Sequence, residues 1–92
     1  MNRLKPQRPS LEALADLCLS HLAQDPELLG EFMVEAGYDP AGLRGALGSP
    51  GFHAGLIDYF ARKEPMMLAL CTANSLRPED FMAVWQKLNQ HE

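Results

Sequence analysis

Asp25-Pro26-Glu27-Leu28-Leu29-Gly30-Glu31-Phe32-Met33-Val34-Glu35-Ala36-Gly37-Tyr38-Asp39-Pro40 spells one helix together with its start and stop signals. Asp25 offers a side-chain oxygen to the free N–H groups of a first turn. Pro26 suits the first helical position, because its missing N–H has no intrahelical partner there. Leu28, Leu29, Phe32, Met33 and Ala36 recur at helical spacing, with Glu27, Glu31 and Glu35 on the other face. Gly37 supplies the left-handed residue that ends a helix, and Asp39-Pro40 opens the next one.

The same punctuation recurs outward in both directions, at Ser49-Pro50, Glu64-Pro65 and Arg77-Pro78, with Ser10 as the first cap. Six helix starts follow, the last two with poor capping residues. The spacing predicts helices over about 11–24, 26–36, 40–47, 50–62, 65–74 and 78–90, with Gly48 closing the third. Leu11, Leu14, Cys18 and Leu22 form the first stripe; Phe52, Leu56, Tyr59 and Phe60 the fourth; Phe81, Val84, Trp85 and Leu88 the sixth. Asp58 and Arg62 are spaced for an i, i+4 pair on the opposite face of the fourth. The fifth is apolar on nearly all sides, from Met66 to Ala73, which predicts a central, buried helix. No segment alternates with period two. The expected fold is all-α, a compact bundle of about six short helices.

A thirty-nine-residue offset relates Ser10, Leu17, Asp25, Pro26 and Leu28 to Ser49, Leu56, Glu64, Pro65 and Met67. After a one-residue slip, Asp39-Pro40 and Leu43 match Arg77-Pro78 and Phe81. The pattern suggests two related three-helix units.

The chain has 92 residues, 47% of them hydrophobic, a globular composition for one domain. Residues 1–9 read as a flexible basic tail carrying Arg3, Lys5 and Arg8, and 10–92 as a single helical domain. The residues after Arg8 hold five basic side chains against twelve acidic ones. An acidic body makes nucleic acid an unlikely partner, since that affinity rests on phosphate neutralisation. No apolar run has the length of a membrane span or a secretion signal, so a cytoplasmic setting is expected.

Candidate chemistry is sparse. Cys18 and His21, at i, i+3, are the one pair with metal-ligand or thiolate–imidazole spacing; Cys71 and His53 would have to converge on them for a zinc site. Each cysteine reads first as a core residue, and His21 as a partly buried one. No G-x-S-x-G or phosphate-loop signature is present. No catalytic residue, metal ligand or cofactor is therefore assigned. Glu27, Glu31 and Glu35 form a carboxylate ridge; with Met33 and Met82 they make the candidate partner surface for a basic protein.

Leu22-Ala23-Gln24-Asp25-Pro26-Glu27-Leu28-Leu29, Phe32, Ala36-Gly37-Tyr38-Asp39-Pro40, Leu43-Arg44 and Pro50-Gly51-Phe52 together resemble an uncharacterised family of short bacterial proteins, domain of unknown function 3572. The resemblance covers about Leu11 to Leu88 and departs at Lys63-Glu64-Pro65, where a plain acidic cap is expected. It implies a small helical bacterial protein and brings no catalytic residue. The leading expectation is a non-enzymatic protein-interaction module, with a homo-oligomer open. The alternatives are a nucleic-acid regulator reading through 40–47 and 50–62 as a helix-turn-helix, or a thiol or metal site at Cys18 and His21.

Overall fold

The computed structural model describes residues 8–89. They form α1 (Leu11–Ala23), α2 (Pro26–Ala36), α3 (Pro40–Ala46), α4 (Pro50–Ala61), α5 (Glu64–Ala73) and α6 (Pro78–Leu88), with no strand among the described residues. The all-α bundle is the fold that the punctuation predicts. The basic segment up to residue 7 lies outside the described residues, as does His91.

The caps form as their chemistry dictates. Ser10, Asp25, Asp39 and Ser49 accept hydrogen bonds from the N–H groups of Ala13, Glu27, Gly42 and Phe52, at 2.7–3.1 Å. Lys63 and Arg77 occupy the caps of α5 and α6 without a side-chain bond. Arg77 instead reaches forward to Asp80, whose carboxylate is almost buried (Nε–Oδ2 2.9 Å).

Gly37 ends α2 at φ 82°, and Tyr38 N–H bonds back to Met33 C=O. Ser75 does the same after α5, at φ 53°, with Leu76 N–H bonded to Cys71 C=O. The slipped repeat register pairs Gly37 with Ser75, so the two halves share this helix-ending geometry. They differ in burial: α3 buries no residue, whereas its counterpart α6 buries Asp80, Phe81 and Val84. Gly48 does not close α3 by a left-handed turn. Its φ is not positive; Ser49 N–H bonds to Ala46 C=O and leads directly into the cap of α4.

The central helix is α4, and this corrects the expectation for α5. Phe52, Leu56, Ile57 and Phe60 are all buried, and α4 packs against α1, α5 and α6. Leu14, Ala15, Cys18 and Leu22 of α1 face it. In α5 only Met67, Leu70 and Cys71 are buried; Leu68, Ala69 and Ala73 are exposed. Alanines read as apolar in the sequence, but their small area gives little drive to bury them. On α2 only Phe32 is buried; Leu28, Leu29 and Met33 are half-buried and Ala36 is exposed.

Candidate functional site

The second helix stands apart from α4 for a local reason. It packs closely on α1, but it meets α4 through aromatic side chains. Phe32 holds the middle, edge-on to Tyr59 (ring centroids 5.0 Å) and to Phe52 (6.1 Å). Tyr38, just past the Gly37 turn, packs edge-on to Phe52 at 5.6 Å. Such edge-to-face pairs match positive ring edges to negative ring faces and fix the rings in place. Four wedged rings leave a cleft between the helices.

The cleft has a volume of about 680 Å³. Phe32, Tyr38, Phe52 and Tyr59 form its aromatic wall; Gly55 opens its floor; Glu35, Asp58, Arg62 and Lys63 supply its charges. A side chain at Gly55 would meet open space, with no atom within 4 Å of an added Cβ. A second, shallower hollow of about 480 Å³ lies alongside, lined by Gly30, Glu31, Val34, Glu35, Tyr59 and Lys63. Val34 is 82% exposed, the most exposed large apolar side chain among the described residues.

The charges are not equivalent. Asp58 is committed on both oxygens: Oδ1 accepts the Trp85 indole N–H at 2.9 Å, and Oδ2 accepts Arg62 Nε and Nη2 at 3.0 and 2.7 Å. The indole bond, and secondarily Arg62, hold its carboxyl below the usual range against the opposing effect of burial. Glu35 accepts no hydrogen bond among the described residues. Its one partner is the Lys63 ammonium at 3.6 Å, and that ammonium also lies 5.0 Å from the Tyr59 ring centre. This pair separates the two hollows. The Tyr59 hydroxyl is pushed above its ordinary pKa, first by burial, then by the Glu35 and Glu31 carboxylates.

The residues singled out from sequence fall as follows. Glu27, Glu31 and Glu35 are all exposed on α2, and only Glu31 and Glu35 reach a hollow. Met33 and Met82 are half-buried against the core and line neither hollow. The sequence reading missed Val34 as the exposed apolar residue, although it stands three positions after Glu31 on the outward face. It also missed the cleft itself. Phe32, Tyr38, Phe52 and Tyr59 look like ordinary core positions until their mutual packing is known.

Cys18 is fully buried and its thiol is driven far up, first by burial, then by Cys71, so it stays protonated at neutral pH. His21 packs edge-on to Phe60 at 5.8 Å. Cys71 donates toward Met67 Sδ at 3.8 Å, and His53 Nε2 lies 3.2 Å from Leu47 C=O. The two thiols lie near enough to influence each other, but the four side chains form no common cluster. Among the described residues no group of three or more His, Cys, Asp or Glu side chains has metal-binding geometry. No described helix is long and apolar enough to cross a membrane. The segment with helix-turn-helix spacing forms α3 and α4; α4 turns Phe52, Leu56, Ile57 and Phe60 into the core and leaves Gly51 and Gly55 exposed.

A family model described as a protein of unknown function (DUF3572) matches residues 8–91. No curated protein and no solved structure matches the chain.

Proposed function

The chain belongs to the DUF3572 family of proteins of unknown function; we propose that it works by binding another protein, with no chemistry of its own, and that the α2–α4 cleft and the adjoining Val34 hollow are its binding surface. The ligand class we propose is a basic segment anchored by an apolar side chain. One observation carries this reading: two hollows lie side by side, one walled by four aromatic rings and one open around an exposed valine. A pocket for a compact ligand needs one enclosed volume; two linked hollows suit an extended or helical segment. The acidic ridge of α2 and the net charge of −4 favour a basic partner, which electrostatics would steer toward that ridge. Burial of Cys18, which keeps its thiol protonated, supports a packing role over a nucleophilic one. Two buried, free cysteines suit a cytoplasmic setting.

The test is site-specific photo-cross-linking in native lysate. A benzophenone side chain replaces Val34 in one variant and Thr72, exposed on α5, in another. Capture of one protein at position 34 and not at 72, through a basic segment, is the expected result. Equal capture at both positions, or none at 34, rejects the reading.

A further inference from the structure

Lys63 sits in its own protein's binding surface as a cation would. Its ammonium lies over the Tyr59 ring and beside Glu35, on the boundary between the two hollows. We infer that this corner is a recognition site for an arginine side chain of the partner, and that Lys63 occupies it in the free protein and is displaced on binding. The inference rests on the binding-surface reading above and names what that surface selects.

Three observations support arginine. First, of the two acids lining the cleft, Glu35 is the available one. Both oxygens of Asp58 are already committed to Trp85 and Arg62, which also neutralises Arg62 as a repelling charge. Second, Lys63 fills the place poorly. At 3.6 Å its ammonium is beyond hydrogen-bond distance of Glu35, and both side chains remain substantially exposed. A planar guanidinium can stack on an aromatic face and pair with a carboxylate through two N–H groups at once; an ammonium cannot. Third, Glu31 and Glu35 surround the corner, so the charge of an incoming cation is complemented. The charged groups facing the site are then Glu31, Glu35 and Lys63, with the Asp58–Arg62 pair behind.

Lys63 is held at the corner by its contacts to Glu35 and Tyr59. It caps α5 by position only, with no side-chain bond to that helix, so its side chain is free to leave.

The experiment uses the full chain, isotope-labelled, titrated with N-acetyl-arginine methylamide and followed by amide shifts in NMR. The lysine and citrulline analogues serve as comparisons. Shifts centred on Glu35, Tyr59 and Lys63, in the order arginine, lysine, citrulline, are expected. Lys63→Met should tighten arginine binding by about two- to fivefold, the ~0.4–1 kcal/mol that an exposed ion pair holds. Glu35→Gln should abolish the preference over citrulline. Citrulline binding as well as arginine, or Lys63→Met leaving the affinity unchanged, overturns the inference. Neither variant touches the core or a capping bond, so both fold, and a circular dichroism spectrum verifies it. Cross-linking at Val34 through a segment lacking arginine would overturn this inference alone and leave the binding surface standing.

Discussion

The Trp85 indole donates to Asp58 Oδ1 at 2.9 Å across a separation of 27 residues, and this bond ties the last helix to the central one. It also sets the far wall of the cleft, because the same carboxylate anchors Arg62. Trp85→Phe keeps the ring and removes the donor. A hydrogen bond to a charged group contributes ~1.5–3 kcal/mol when dry, and the half-exposed position discounts that to about 1 kcal/mol. A double-mutant cycle with Asp58→Ala, read by urea denaturation, should return a coupling of that size. Additive losses would mean that the bond does not hold α6.

The acid limb of stability follows from the same residue. The folded-state carboxyl of Asp58 is held below its ordinary pKa of 3.8, first by Trp85, then by Arg62. A depressed carboxylate contributes fully above its unfolded value and loses that contribution as pH falls through the folded one. The stability gap between wild type and Asp58→Asn should be constant above about pH 5 and shrink below about pH 4. Thermal unfolding across that range reads it directly. A gap that widens as pH falls would mean that the folded carboxyl titrates above its unfolded value.

The fold was legible because its signals are local. Ser10, Asp25, Asp39 and Ser49 cap by side chains that reach only two or three residues, and proline at the next position fixes the start. The site was not legible, because its geometry is long-range. Nothing in the spacing of Phe32, Tyr38, Phe52 and Tyr59 says that their rings wedge two helices apart. The Asp58–Arg62 pair was readable at i, i+4, whereas the Trp85 contact to the same carboxylate was not. The misplacement of α5 has a similar origin: hydropathy counts Leu68, Ala69 and Ala73 as apolar but cannot see which neighbour is absent.

The two thiols should be silent until the protein opens. Cys18 and Cys71 are 0% and 2% exposed, and burial raises both thiols, so neither is accessible as a thiolate. Ellman's reagent should react with neither thiol in the native state and with both in denaturant. Cys18→Ser should destabilise by about 1–3 kcal/mol, because it places a hydroxyl in a fully buried apolar setting. Rapid native labelling of Cys18 would contradict the packing of α1 on α4.

The same substitution should act with opposite signs on α2. At Gly37 the backbone sits at φ 82°, where a Cβ is strained, so Gly37→Ala should destabilise by about 1 kcal/mol. At Gly30, inside the helix, an added Cβ meets no atom within 4 Å, and Gly30→Ala should stabilise by ~0.5–1 kcal/mol. Paired urea melts separate the two. A destabilised Gly30→Ala would mean that this face of α2 is already covered by another surface.

Gly55 separates folding from binding at a single position. It lies mid-helix in α4 on the cleft floor, exposed, with open space where its side chain would be. Gly55→Ala should raise stability by ~0.5–1 kcal/mol, through helix propensity alone. Gly55→Leu keeps that gain but projects four carbons into the space between Phe52 and Tyr59. It should leave the melting temperature at or above that of wild type while abolishing cross-linking from Val34. The opposite pattern, a less stable chain that still binds, would place the partner elsewhere. Stability measures the helix and capture measures the cleft, so one residue read by both shows whether the emptiness beside Gly55 exists for a ligand or for nothing.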